Sequence, residues 1–270
     1  MAVGRNGSGV LTMAASSIDV AGNGAFLVGR VAGSSGVVNM TNNSTITAGY
    51  VGVGRLRNAD LTTANGGVGS LVVNSGSTVA ANTIEIGSAG YLGGTGTITD
   101  NVINYGTINP GNSPGKLVIN GNCTAGVGRK VVLEVESNGS TGFLVDELVI
   151  GPGSVVNLAG AVVEFKFLAG TDPNAFQDSG QFDIDTYLKQ VDARGNTAPL
   201  ADATFATVTF TADATDYTIN SFVYSPVSGV TELIAIPTAV PEPGTWLIML
   251  GGLWAVRGVA RRQAALKLQP

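Results

Sequence analysis

Val3-Gly4-Arg5, Val28-Gly29-Arg30 and Val53-Gly54-Arg55 recur at a spacing of 25 residues and then 25 again, and a looser copy, Ile86-Gly87-Ser88, follows an insertion around residues 56–67. Between these anchors runs a second phrase: Gly9-Val10-Leu11-Thr12-Met13 with Ser17-Ile18, Gly36-Val37-Val38-Asn39-Met40 with Ser44-Thr45-Ile46, and Ser70-Leu71-Val72-Val73-Asn74 with Ser77-Thr78-Val79. Each copy holds short apolar, mostly β-branched runs that suit alternating inward and outward side chains, broken by Gly, Asn and Ser at tight corners. A helix cannot be written through this pattern, because each interior Gly costs about 1 kcal/mol and the runs are too short to nucleate one. A unit of this size, with two or three short strands, fits one coil of a parallel β-solenoid whose backbone pairs with the next coil about 4.8 Å away. Roughly four to five coils are expected before Asn122. An antiparallel sandwich of hairpins is the alternative, although hairpins by themselves impose no spacing of 25.

The composition agrees. Of 270 residues, 12% are charged and 39 are Gly, against the quarter charged and far fewer glycines usual for a helical or α/β enzyme. There is no histidine, which removes the commonest general base near neutral pH and the commonest metal ligand. The single Cys123 excludes an internal disulfide and a thiolate zinc site, and is expected to be a small buried or turn residue. Residues 1–128 are nearly neutral, with five basic and four acidic side chains. Residues 129–239 carry fourteen acids against five bases, and the remainder is net positive. Three charge regimes suggest three segments, 1–122, 123–236 and 237–270, and none offers the basic face that nucleic acid requires.

The last expected coil has its own wording, Leu92-Gly93-Gly94-Thr95-Gly96-Thr97-Ile98-Thr99, then Asn104-Tyr105-Gly106-Thr107-Ile108-Asn109-Pro110-Gly111-Asn112-Ser113-Pro114-Gly115-Lys116-Leu117-Val118-Ile119-Asn120-Gly121. This phrase is similar to the repeat of autotransporter passenger β-helices. The copies built on Val-Gly-Arg resemble a repeat shared by those passengers and by bacterial surface proteins of the PEP-CTERM class. The resemblance spans residues 1–122 and implies a β-helix on an exported protein.

From Lys130 the texture changes. Residues 131–136, 146–150, 161–167, 206–211 and 222–224 read as strands with some polar members, and 184–191 as a short helix. Most aromatic residues lie here, so 123–236 is expected to be a β-rich cap over the open end of the solenoid. The acidic cluster Asp172, Asp178, Asp183, Asp185 and Asp192 could hold calcium, yet its spacing matches neither an EF-hand nor the nonapeptide Gly-rich calcium repeat, and a solvated acidic loop is the simpler expectation. Asp19, Asp60, Glu85 and Asp100 are the candidate carboxylates for a polysaccharide-degrading solenoid, but they occupy different phases of the repeat and do not converge as acid–base pairs must. Arg5, Arg30 and Arg55 would stack as a ladder, expected to be a solvated corner, with a stripe for anionic polysaccharide as the functional alternative.

The tail reads Val240-Pro241-Glu242-Pro243-Gly244-Thr245-Trp246-Leu247-Ile248-Met249-Leu250-Gly251-Gly252-Leu253-Trp254-Ala255-Val256, then Arg257, Arg261 and Arg262. A turn, an apolar run and a basic stop describe a short hydrophobic helix that enters a bilayer and halts at a positive flank. The order resembles the PEP-CTERM sorting signal. That resemblance implies recognition by an exosortase-type processing enzyme in Gram-negative bacteria that make exopolysaccharide, transient contact with the inner membrane, and processing near Pro241-Glu242-Pro243. The opening residues lack a charged and an apolar signal region, so an upstream portion carrying further coils and a signal peptide is expected. Taken together, the sequence leads to an all-β, non-enzymatic, cofactor-free protein of the cell surface or extracellular matrix, structural or adhesive, meeting exopolysaccharide or other surface proteins. The alternatives are a polysaccharide-degrading β-helix enzyme and an autotransporter passenger fragment.

Overall fold

The computed structural model describes residues 1–74, 76–112, 114–139, 142–178, 184–199 and 207–213, and the short strand pieces 217–218, 225–227, 230–232 and 238–239. The described chain is mostly strand with almost no helix, and it forms long parallel ladders. One sheet stacks Ser8–Ala14, Ser35–Thr41, Val68–Val73, Gly90–Gly94, Thr107–Pro110, Lys130–Ser137, Val162–Phe167 and Thr207–Ala212. A second sheet folds along its length into two faces. In the first two complete coils a single long strand, Ser17–Val28 or Thr45–Val53, bends over both faces; later it is split, as Thr78–Ala81 and Thr83–Ile86. Each coil therefore has three sides, and consecutive windings lie on top of one another.

The register is the one the repeat demands. Val3 pairs with Val28, Val28 with Val53, and Val53 with Ile86. On the first sheet one inward column runs Leu11, Val38, Leu71, Leu92, Ile108, Val131, Val163, Val208, without a gap over eight rungs. A second column runs Ile18, Ile46, Val79, Ile98, Ile119, Ile150. A third, Phe26, Val51, Ile84, Val102, Cys123, Val156, places the cysteine among aliphatic neighbours. Cys123 is fully buried, and burial pushes its thiol up to about 12, so it is an inert core residue. In-register parallel pairing excludes the hairpin sandwich.

Corners are made by small residues for two separate reasons. Gly29 has φ +67°, and a Cβ there would sit 2.0 Å from the Val68 carbonyl oxygen. Gly4 and Gly54 repeat that left-handed turn one coil below and above. At the opposite corner Ser44 and Ser77, both fully buried, form a polar ladder: the Ser44 backbone N–H donates to Ser77 Oγ at 3.1 Å, and the Ser44 hydroxyl donates to the Thr41 carbonyl at 2.6 Å. Buried polar atoms at a solenoid corner need such partners, and the repeat supplies them from the neighbouring coil.

Two expectations need revision. The stack does not end at residue 122: Lys116–Ile119 pairs with Glu147–Ile150, Cys123–Ala125 with Val156–Asn157, and Lys130–Ser137 with Val162–Phe167, all parallel. The boundary expected there marks a change in sequence texture inside one continuous stack, because the inward aliphatic column persists while the repeat length does not. The helix expected over 184–191 covers only Ile184–Tyr187, and Leu188–Val191 continues the ladder beside Glu147–Ile150. Leu188 pairs with Leu148, so burial against the existing column decides in favour of strand. The strand expected over 222–224 lies outside the described residues.

Candidate ligand-binding face

The insertion at residues 56–67 is a small hairpin, Arg55–Arg57 against Thr63–Asn65, standing out from the corner of the third coil. It carries arginine onto the face formed by residues 25–28, 50–53, 83–86 and 101–104. Arg55 does not join a solvated ladder. Its guanidinium lies 2.6 Å from Glu85 in a pair whose side chains are 11% and 12% exposed, donates to Asn65 Oδ1 at 3.1 Å and Thr63 Oγ1 at 2.9 Å, and sits 5.0 Å above the Tyr105 ring. A pair this enclosed, with its remaining donors filled, locks the hairpin to the coil.

Arg57 lies 4.7 Å over the Tyr50 ring and donates to the Asn23 carbonyl at 3.2 Å. Tyr50 is buried on the outer side of the same face, and Gly52 is what allows it: a Cβ at Gly52 would meet Tyr50 Cε1 and Leu27 Cδ2, both at 2.9 Å. The Tyr50 hydroxyl is buried beside the Arg55–Glu85 pair. Burial, and then the Glu85 carboxylate, hold this phenol well above its ordinary value, so it stays protonated and a donor.

Beside this cluster a cleft of about 460 Å³ opens over Ala2, Ala25 and Leu27, with Arg5, Arg30 and Arg57 around it. Arg5 is exposed and Arg30 half-buried, and among the described residues neither side chain has an ion-pair or hydrogen-bond partner. The expected Arg5–Arg30–Arg55 ladder is thus corrected: the third guanidinium of the cleft belongs to Arg57, because Glu85 draws Arg55 down onto the coil. Tyr50, Tyr105 and Arg57 are not marked by the repeat. Only the unusual pairing of two arginines at the start of an insertion could have singled them out.

The other candidates are used locally. Asp19 is exposed on a different face, where it pairs with Thr47. Asp60 accepts from Thr62 N–H and Oγ1 at 3.1 and 2.6 Å in the hairpin turn, which holds its carboxyl below the usual range. Asp100 accepts from the Ala81 N–H at 3.1 Å. With Glu85 held by Arg55, these four carboxylates are not brought together. Asp192 accepts from Arg194 and Asn196 N–H groups, both at 2.8 Å, capping the hairpin of Leu188–Val191 and Thr197–Pro199. Among the described residues no three acidic side chains form a group that could hold a metal ion; the side chains of Asp178, Asp183 and Asp185 lie outside those described.

A buried carboxylate that the sequence does not advertise is Asp146. It accepts from the Gly115 N–H at 2.7 Å and the Glu134 N–H at 2.9 Å, and a Cβ at Gly111 would collide with it. Burial raises its carboxyl to about 7, against the opposing effect of those two N–H donors. The Pro110–Gly115 phrase is therefore a loop folded around one acid from the next coil.

Val240, Pro241, Glu242, Pro243 and Gly244, with Arg257, Arg261 and Arg262, lie outside the described residues. Among those described, no helix is long and apolar enough to cross a membrane. No protein-family model, curated protein or solved structure matches the chain.

Proposed function

We propose that this chain is a non-enzymatic, exported surface or matrix protein whose stacked coils serve as a structural or adhesive face. On this reading its tail, Val240 to Arg262, addresses it to an exosortase-type enzyme at the inner membrane. The observation that carries the proposal is the order of its parts: a long in-register parallel stack followed by a Pro-Glu-Pro turn, an apolar run and a basic stop. A solenoid is a rigid rod that offers extended surface per residue, and a terminal sorting tail suits display of such a rod outside the cell. The mechanism is passive, with outward Ser, Thr and Asn side chains such as Ser35, Asn39 and Thr107 presenting hydrogen-bond groups along each ladder. No cofactor enters this mechanism. The degradative alternative is served less well, since Asp19, Asp60, Glu85 and Asp100 are each engaged or placed apart.

The test is delivery. The chain is given an export signal and expressed in an exopolysaccharide-forming host with and without its exosortase. Wild type should leave the membrane fraction for the surface only where the enzyme is present, and a P241A/E242A/P243A variant should stay in the membrane. Equal partition of the two proteins, or release without the enzyme, contradicts the proposal.

A further inference from the structure

We infer that the cleft between Arg5, Arg30 and Arg57 is a binding site for an acidic polysaccharide, read through carboxylate groups along one chain. The inference rests on the surface proposal above and names its ligand class. Three guanidiniums border a single cleft, and none of its lining side chains is acidic. Among the described residues the side chains of Arg5 and Arg30 have no ion-pair or hydrogen-bond partner, although Arg55, next door, has four partners. Arg55 serves the fold through filled donors, whereas Arg5 and Arg30 keep theirs for solvent or a ligand.

The floor supports a sugar chain better than a lone anion. Ala2, Ala25 and Leu27 give an apolar base, and Arg57 is held over Tyr50, so its planar fork is fixed before any ligand arrives. Arg5 and Arg30 follow Val3 and Val28, which are paired, so they stand one coil apart, about 4.8 Å along the stack. That places donors along a line, suited to successive charged groups of one polymer. Exposed single contacts are weak, so affinity should come from several contacts to one chain and should fall with salt.

The experiment measures retention of the full chain on immobilised polygalacturonate, a uronate polymer, with neutral dextran as the comparison. Wild type should be retained on the uronate polymer at low salt and not on dextran. R5Q/R30Q should bind at least about tenfold more weakly with an unchanged melting temperature, since it removes two of three guanidiniums and no internal contact. R5K/R30K should keep most of the binding, and R194Q, remote in the later hairpin, should match wild type. The inference is overturned by absence of wild-type retention, by equal retention of R5Q/R30Q, or by displacement with millimolar free sulfate, which would indicate a pocket for a single anion. Failure here with normal surface delivery removes this inference alone; failure of delivery removes the earlier proposal and leaves the binding result standing.

Discussion

Coils up to residue 125 and those from residue 130 onward share one aliphatic column, yet they are finished differently around it. The early windings turn on left-handed glycines and a serine ladder, and their outward side chains are mostly neutral. The later ones carry charge on the same sheet: Lys130 meets Glu164 at 2.6 Å, and Lys166 meets Glu134 at 3.3 Å and Asp213 at 3.2 Å. Their interior is aromatic, with Phe176, on the short helix Pro173–Asp178, wedged edge-on against Phe143 and Phe167 at 5.1 and 5.6 Å. Successive rungs of the first sheet are as close as Leu92 to Ile108 and as distant as Val163 to Val208. The stack tolerates this because only the inward column must stay in phase, while corners absorb extra chain.

The comparison can be broken most sharply at the corners. G29A should cost about 4 kcal/mol or more, because both the positive φ and the Val68 carbonyl oppose a methyl group. G195A, in the turn of the later hairpin with φ +86° and open space, should cost only about 1 kcal/mol. Urea melts of the two variants compare these directly; equal losses would show that the early corners are not specially constrained.

F176A should cost about 3–4 kcal/mol, as a buried aromatic wedge lost from the later coils. Since each coil contacts only its neighbours, proteolysis should open the chain beyond Lys130 first and spare the early windings. Cleavage starting in the early windings would contradict the division.

Asp146 sharpens the comparison by pH. Its folded value of about 7 lies above the ordinary 3.8, so the native state holds a proton that the unfolded chain releases. That contribution is complete below pH 3.8 and is lost as pH rises toward about 7. The melting temperature of wild type should decline across this window, and the decline should disappear in D146A. The smallest effect expected is K166Q, about 1 kcal/mol or less and fading with added salt, since Lys166 and its partner Asp213 are partly exposed. A larger, salt-independent loss would mean that the charged ladder holds the later coils as strongly as their core does.

Much of the stack was legible because Val3, Val28 and Val53 recur with their glycines, and the hairpin insertion announced itself by interrupting them. Coils beyond Asn122 were not, because Val131, Val163 and Val208 continue the column at spacings no fixed repeat predicts. Asp146 could not be assigned from sequence either: its partners, Gly115 and Glu134, are brought to it by a winding and not by proximity in the chain. The ligand face was half visible. Arg5 and Arg30 stood out by period, while Arg57 and Tyr50 meet only because a bulge between Val20 and Ala25 and the inserted hairpin fold over the same face.

Vertical register in both halves is tested most directly by paired cysteines. Val10 pairs with Val37 in the early ladder and Lys130 with Val162 in the later one, at spacings a disulfide can bridge. V10C/V37C and K130C/V162C should each form an internal disulfide under mild oxidation, while the shifted pairs V10C/N39C and K130C/E164C should not. Bridging of the shifted pairs as readily as the registered ones, or of neither, would contradict a stack of aligned windings.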